Sequence, residues 1–133
     1  MMLKIFLVGI GGGAGSLARY AFALHFLHAS QRFPFGTLSA NLAGCFIIGV
    51  LAQIASEINL LTPEMRVLFV TGFCGGFTTL SSFIFETSEY LKTAQYGAAA
   101  GYVAATLFGA ALTFAAGSLL AHVVIAQAGV KGN

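Results

Sequence analysis

Hydrophobic positions along this chain fall into long uncharged runs that are separated by short polar patches. The runs are residues 5–18, 20–31, 33–56, 67–85 and 93–130. Only Arg19 separates the first two, so we join them into one segment. A helix that crosses a bilayer needs about 20 consecutive apolar residues. The pattern therefore predicts an all-α membrane protein with four transmembrane helices, at about residues 3–28, 34–56, 65–91 and 95–127.

The amino-acid composition is typical of a membrane-embedded chain. Hydrophobic residues make up 58% of the sequence, charged residues 8%, and the mean hydropathy is +0.90, whereas soluble domains carry about 25% charged residues. We expect residues 1–133 to form one integral membrane domain in the plasma or inner membrane, without a soluble catalytic domain. The apolar residues after Lys4 also fit a secretory signal, but a first membrane helix explains them and is favoured.

The charges are too few to fix one orientation in the membrane. With four spans, the cations on one side would be Lys4, Arg66 and Lys131, and those on the other Arg32, Lys92 and, if it reaches that far, Arg19. This near balance gives the positive-inside rule almost nothing to act on, so insertion in both orientations and an antiparallel homodimer are expected. The net charge of +2 gives no reason to expect a nucleic-acid partner. Cys45 and Cys74 lie inside spans and are interpreted as small buried residues.

The third predicted span contains an unusual polar stretch, residues 71–83 (TGFCGGFTTLSSF). The Gly75-Gly76 pair and the Thr78-Thr79 pair that follows weaken helical hydrogen bonding there. Non-helical backbone at membrane depth is tolerated only where protein buries it or where it lines a polar cavity. We therefore predict that the third helix is broken in mid-membrane and that a functional site lies at the break.

The glycine cluster at residues 9–14 matches the dinucleotide-binding pattern G-x-G-x-x-G/A, but its context argues against that function. The pattern needs an acidic residue about 20 positions further on, and Glu57 is the first carboxylate in the chain. Close helix packing is the favoured interpretation, because Gly9, Gly13 and Ala14, or Gly12 and Ser16, present small faces.

Polar side chains inside the spans are the candidates for function. Arg19 is either an anchor that reaches the interface or the electropositive wall of a water-filled vestibule. Asn41 either coordinates an ion or bonds a neighbouring helix, and both alternatives stay open. Tyr102, Thr106 and Thr113 have a spacing that puts them on one helical face. Such hydroxyls suit an anion path, or they bond the backbone of their own helix.

The ionisable residues do not form a catalytic set. Glu86 and Glu89 are three apart near the end of the third span, and interfacial carboxylates are favoured over a metal pair. His25 and His28 share a face but have no nearby third ligand. The serines lack a neighbouring histidine base. A transport or channel function, and no enzyme activity, is the prediction that remains.

The sequence resembles the Fluc/CrcB family of fluoride channels, and the resemblance covers essentially the whole chain. It is carried by residues 11–20 (GGGAGSLARY), 34–44 (PFGTLSANLAG) and 71–83, and by Glu86. The resemblance implies a dual-topology homodimer of four-helix subunits with two antiparallel pores for passive fluoride export. It also implies a sodium ion on the dimer axis, bound by the backbone carbonyls of Gly75 and Thr78 from each chain.

The resemblance also implies which residues form the pore, because positions in the family's motifs can be matched to positions in this sequence. Its pore residues would be Asn41, Leu80 and Phe83, the hydroxyls of Thr79, Ser82 and Thr106, and Tyr102 on the facing surface. Arg19 would form the vestibule, and Glu86 an end of the pore. The sequence departs from the family at Leu80, where a phenylalanine is usual, and at Ala110 and Phe114, where hydroxyls are common. These departures bear on rate and ion preference and leave the expected fold intact.

Two other functions remain as alternatives to the fluoride channel. A small dual-topology multidrug exporter driven by protons would need a carboxylate deep in a span, whereas Glu86 and Glu89 lie near an end. A membrane assembly subunit would use its glycines for packing alone.

Overall fold

The regular structure of the chain is helical throughout the part that a computed structural model describes, residues 1–58 and 60–129. The helices are α1 (Met2–His25), a 3-10 turn (Ala29–Gln31), α2 (Phe35–Glu57), α3 (Pro63–Arg66), a π-helical segment (Val67–Cys74), α4 (Gly75–Phe77), α5 (Leu80–Lys92) and α6 (Tyr96–Gln127). Lys131, one of the cations counted above, lies outside the described residues.

Four of these stretches are long and apolar enough to cross a membrane. They are Met2–His25, Phe35–Glu57, Pro63–Lys92 and Tyr96–Gln127, and their ends lie close to those predicted from the sequence. The prediction of four long apolar helices with an irregular third one is confirmed. We refer to Pro63–Lys92 as the third span.

The third span starts with a capped helix end and is interrupted half-way. The Thr62 hydroxyl accepts a hydrogen bond from the Met65 amide at 3.2 Å, and Pro63 follows it at the first helical position, where its missing N–H costs nothing. The interruption falls at Thr78 (φ −85°, ψ 155°) and Thr79 (φ −148°, ψ 115°), which are both extended. The sequence predicted the weak point at the Gly75-Gly76 and Thr78-Thr79 pairs together; the threonines are extended, whereas both glycines are helical.

Glycines bring α1 and the third span into backbone contact. A Cβ on Gly11 would collide with the Leu68 carbonyl, and one on Gly15 with the Phe73 carbonyl. A Cβ on Gly76 would likewise meet the backbone of Gly12. The predicted role in close packing therefore belongs to these positions. Gly9 and Gly13 make no such contact within one chain, because a Cβ on either would have nothing within 4 Å.

A second glycine contact joins α2 to α6. A Cβ on Gly49 would collide with the Phe114 carbonyl, and one on Gly117 with the Phe46 carbonyl. Since α2 packs mainly on α6 and the π-helical segment mainly on α1, the fold consists of two tightly joined helix pairs. The pairs are joined by contacts between α1 and α2 and between α5 and α6, and by smaller contacts of α2 with the third span.

Large apolar side chains point outward. Leu17, Phe108 and Leu112 are among many whose side chains are mostly exposed, whereas the buried residues include the polar Asn41 and Thr106. This distribution is unfavourable in water and favourable in hydrocarbon, which solvates apolar surface.

Candidate functional site

Asn41 on α2 binds the backbone at the interruption of the third span. Its Oδ1 accepts a hydrogen bond from the Thr79 amide at 2.7 Å, and its Nδ2 donates to the Thr79 carbonyl at 3.2 Å. One side chain therefore replaces both helical partners of an extended residue. Asn41 is only 8% exposed, so these bonds satisfy groups that would otherwise be buried without partners.

Thr79 also starts the next helix. Its hydroxyl accepts a hydrogen bond from the Ser82 amide at 3.2 Å and donates to the Ser82 hydroxyl at 3.1 Å, which is the arrangement of a helix N-cap. The Ser82 hydroxyl keeps its own proton for another acceptor.

These bonds leave two backbone carbonyls without their usual helical partners. In a continuous helix the Gly75 carbonyl would accept from the Thr79 amide and the Thr78 carbonyl from the Ser82 amide. The first amide is bound to Asn41 and the second to the Thr79 hydroxyl. Carbonyl oxygens released in this way are suitable ligands for a hard cation. The backbone here therefore fits the sodium site that the sequence resemblance implies.

Aromatic rings line the next turn of the site. Phe83 on α5 is 6% exposed and Tyr102 on α6 is fully buried. Their ring centroids lie 5.1 Å apart with a tilt of 55°, and Phe33 meets Tyr102 edge-on at 5.4 Å. Ring edges carry partial positive charge, so this cluster offers an anion a weakly attractive surface without a full charge.

The Glu86 carboxylate is held by two hydroxyl groups from different helices. Thr37 donates to its Oε1 and Tyr102 donates to its Oε2, each at 2.6 Å. Both bonds are charge-assisted when the carboxylate is ionised and hold the side chain in one orientation. A cavity of about 680 Å³ adjoins this end of the site, and Arg32, Thr37, Glu86 and Tyr90 are among its lining residues.

Thr106 carries a hydroxyl that no other group satisfies. It is 8% exposed and lies one turn beyond Tyr102 on α6. Among residues 1–58 and 60–129, its Oγ1 is the one buried side-chain polar atom that lacks a hydrogen-bond partner. Because burying an unpaired hydroxyl is unfavourable, a water molecule or a bound ion at this position would stabilise it.

The sequence of the chain is similar to those of known proteins. The family model described as "CrcB-like protein, Camphor Resistance (CrcB)" matches residues 6–118. Three relatives are each named "Fluoride-specific ion channel FluC". The protein from Chlorobium luteolum is 54% identical over 84 residues, which is 63% of this chain and 65% of that relative. The protein from Chlorobium phaeobacteroides strain BS1 is 47% identical over 91 residues, 68% of this chain and 71% of the relative.

The third relative, from Chlorobaculum tepidum, is 45% identical over 95 residues, 71% of this chain and 75% of the relative. A family match over most of the chain decides the assignment. The chain belongs to the CrcB family. The resemblance stated from its motifs is confirmed, and the CrcB chain is a multi-pass membrane protein.

The fold of this CrcB chain brings most of the predicted pore residues into two adjoining groups. Asn41, Thr79 and Ser82 meet at the interruption, while Phe83, Tyr102 and Glu86 meet one to two turns further on.

Leu80 and Gly75 do not join these groups. Leu80 is 72% exposed, and a Cβ on Gly75 would have nothing within 4 Å. Both lie at the outer surface of the chain.

Arg19 takes a position that neither sequence interpretation described. Its Nε donates to the Gly76 carbonyl at 3.1 Å, so the guanidinium lies beside the end of α4. A cation at the C-terminal end of a helix is favoured by the helix dipole. The vestibule role of Arg19 remains a prediction.

Sequence reasoning missed several polar partners in the CrcB fold. Thr37, which holds Glu86, lies inside the second motif, residues 34–44, but nothing in that motif names its partner. A second cluster joins α2 to α6: Ser118 donates to Gln53 at 2.6 Å, Gln53 donates to Glu57 at 2.6 Å, and His122 pairs with Glu57. Its signal was the shared i,i+4 spacing on two helices.

The hydroxyls of several other residues follow the alternative of bonding their own helix. Thr113 donates to the Gly109 carbonyl at 2.9 Å, and Thr78 donates to the Cys74 carbonyl at 2.9 Å. Thr113 therefore differs from Thr106, although the two share a helical face.

Proposed function

We propose that this chain is a fluoride-specific ion channel that lets fluoride leave the cytoplasm passively through two antiparallel pores of a dual-topology homodimer in the cell membrane. Family membership and the names of the relatives support the ion. The observation within the fold that carries the proposal is the unpaired Thr106 hydroxyl. It lies one turn from Tyr102 on α6, and the Tyr102 ring packs against Phe83 of α5.

The donors would replace the water around the anion. Fluoride is strongly hydrated, so a path through the membrane must supply hydrogen bonds at each step. The Ser82 and Thr106 hydroxyls each have a proton to offer. Asn41 uses one amide hydrogen on the Thr79 carbonyl and keeps the second. Phe83 would add a ring edge between these donors.

Asn41 would have two tasks in this mechanism. Its bonds to Thr79 keep the third span interrupted, which fixes the positions of the Thr79 and Ser82 hydroxyls. Its remaining amide hydrogen would contact the ion directly. A sodium ion held by the Gly75 and Thr78 carbonyls of two subunits would supply a fixed positive charge on the dimer axis.

The outer surface of the subunit supports the antiparallel dimer. Leu80 and Gly75 are exposed beside the interruption, where a second copy could contribute to the pore and to the cation site. If a two-fold axis in the membrane plane relates the two copies, their pores run in opposite directions. Each side of the membrane then has the entrance of one pore and the exit of the other.

A liposome experiment tests the proposed function. Vesicles loaded with potassium fluoride should release fluoride when a potassium ionophore is added, retain chloride under the same conditions, and need no pH gradient. Chloride release at a comparable rate would contradict fluoride specificity. A strict requirement for a proton gradient would favour the proton-coupled exporter instead.

Replacing Thr106 with valine should reduce fluoride flux by about ten- to a hundredfold, because a charge-assisted hydrogen bond is worth roughly 1.5–3 kcal/mol. Valine keeps the shape of threonine and removes the hydroxyl. Thr113→Val is the matched control, since the Thr113 hydroxyl already bonds its own helix. Equal flux in the two variants, measured in the same liposomes, would remove Thr106 from the path.

Replacing Phe83 with isoleucine should lower fluoride flux by about three- to tenfold, because the ring edge is lost while the apolar volume is largely kept. The dimer should remain intact by size-exclusion chromatography. Phe108→Ile, at a ring that is 72% exposed on the outer surface of α6, serves as the control. Unchanged flux in a correctly folded Phe83 variant would exclude an aromatic contribution to conduction.

A further inference from the structure

A groove that the proposed conduction path does not use lies between α2 and the start of the third span. It has a volume of about 390 Å³, and Ile48, Leu51, Ala55, Val67 and Val70 form much of its apolar wall. Arg66 is the one charged residue that lines it. The groove is therefore a long apolar surface with a single cation.

The helix packing explains why this groove exists. Gly49 and Gly117 bring α2 against α6, while Gly11 and Gly15 bring α1 against the π-helical segment. Asn41 binds Thr79 at the interruption, and no glycine of α2 brings its backbone against that of the third span. The groove lies between α2 and the π-helical segment, where side chains form the wall.

The charged and apolar residues of the groove lie at the depths of a phospholipid's headgroup and acyl chains, respectively. Arg66 lies on the first turn of the third span, which begins at Pro63, and this places it at headgroup level. Val70 lies about 6 Å deeper and Ile48 about 14 Å from the end of α2, from the rise of 1.5 Å per residue. The cation is thus at the surface and the apolar wall extends into the hydrocarbon.

Arg66 is held at the groove and keeps most of its donors. Its Nη2 donates to the Ala55 carbonyl at 3.3 Å, which fixes the guanidinium next to α2. A guanidinium has five N–H donors in a planar fork that suits phosphate. Glu64 is two residues earlier, about 200° around the helix, so it does not neutralise Arg66 from the same face. Glu57, at the end of α2, is paired with His122.

We propose that this groove binds one phospholipid per chain, with an acyl chain against α2 and the third span and the headgroup phosphate on Arg66. An anionic lipid is preferred, because it brings the phosphate charge without a cation in its headgroup. One arginine near a membrane surface corresponds to about a fivefold preference. This inference concerns lipid binding and stands apart from the ion that the channel conducts.

The test uses the full chain reconstituted in vesicles of equal amounts of phosphatidylglycerol and phosphatidylcholine. After extraction in a mild detergent, native mass spectrometry counts the lipids retained on each chain. We expect one retained lipid per chain, with phosphatidylglycerol favoured about fivefold. Arg66→Gln should abolish this preference, and Arg66→Lys should keep part of it.

Two further variants separate the alternatives. Lys92→Gln, at the other end of the third span and in an ion pair with Glu89, should retain lipid as the unchanged protein does. Ala52→Leu, which adds volume within the groove, should reduce retention of both lipids. An equal preference for phosphatidylglycerol in Arg66→Gln and Lys92→Gln would overturn the proposal. A loss of dimer in Ala52→Leu with unchanged lipid retention would also overturn it and would identify the groove as an interface between copies. Fluoride efflux is measured separately, so its failure would not be confused with a failure to bind lipid.

Discussion

Asn41→Asp is expected to reduce fluoride flux by at least about a hundredfold, the largest functional effect of any substitution considered. The carboxylate would place a negative charge beside the path of an anion, and like charges in a partly buried setting repel by several kcal/mol. It would also lose the amide hydrogen that Asn41 donates to the Thr79 carbonyl at 3.2 Å. The measurement is fluoride efflux from liposomes with a potassium ionophore.

Asn41→Ala separates the effect of the introduced negative charge from the effect of losing the hydrogen bonds to Thr79. Alanine removes both bonds to Thr79 and adds no charge, so its flux should fall less than that of the aspartate variant. If both variants are equally impaired, repulsion is not the cause and Asn41 acts only through the backbone. Normal throughput in Asn41→Asp, in a variant that still elutes as a dimer, would remove Asn41 from the pathway.

Gly15→Ala is expected to give the largest loss of stability among the single-methyl changes, about 2 kcal/mol or more. The added Cβ would collide with the Phe73 carbonyl and lie 2.8 Å from the Phe77 amide nitrogen. These atoms are backbone on the neighbouring helix, so the contact cannot be relieved by turning a side chain. The unfolding midpoint in detergent should fall by several degrees.

Gly13→Ala is the matched control for this prediction. It lies two residues away on α1, and a Cβ there would have nothing within 4 Å. Alanine is favoured over glycine in a helix by about 1 kcal/mol, so this variant should be unchanged or slightly more stable. A fall of equal size in both variants would show that α1 does not pack on the third span as described.

The glycines show where sequence analysis reached its limit. Their number predicted tightly packed helices, and the structure has such contacts at Gly11, Gly15, Gly49 and Gly117. The periodicity offered two alternative faces of α1, and neither gives the observed set of contacts. The face of a helix that meets a neighbour depends on the position of that neighbour, which the hydrophobic pattern of an almost uniformly apolar helix does not specify.

The interruption of the third span shows that sequence analysis could locate the region of the break but not its exact residues. Residues 71–83 identified the region, because glycine and threonine pairs weaken a helix. Of the two pairs, only Thr78 and Thr79 leave the helix, and Asn41, on another helix, accepts a hydrogen bond from the Thr79 amide at 2.7 Å. A contact between residues 38 positions apart decided the location.

The sequence by itself determined the membrane environment, the four spans and the family, because these depend on apolar length and on local motifs. Only the tertiary structure decided which groups act together. It pairs Glu86 with Thr37 and Tyr102, and it leaves the Thr106 hydroxyl unpaired while Thr113 bonds its own helix. Hydrogen bonds between helices depend on distance and direction in space, and spacing along one helix does not fix either.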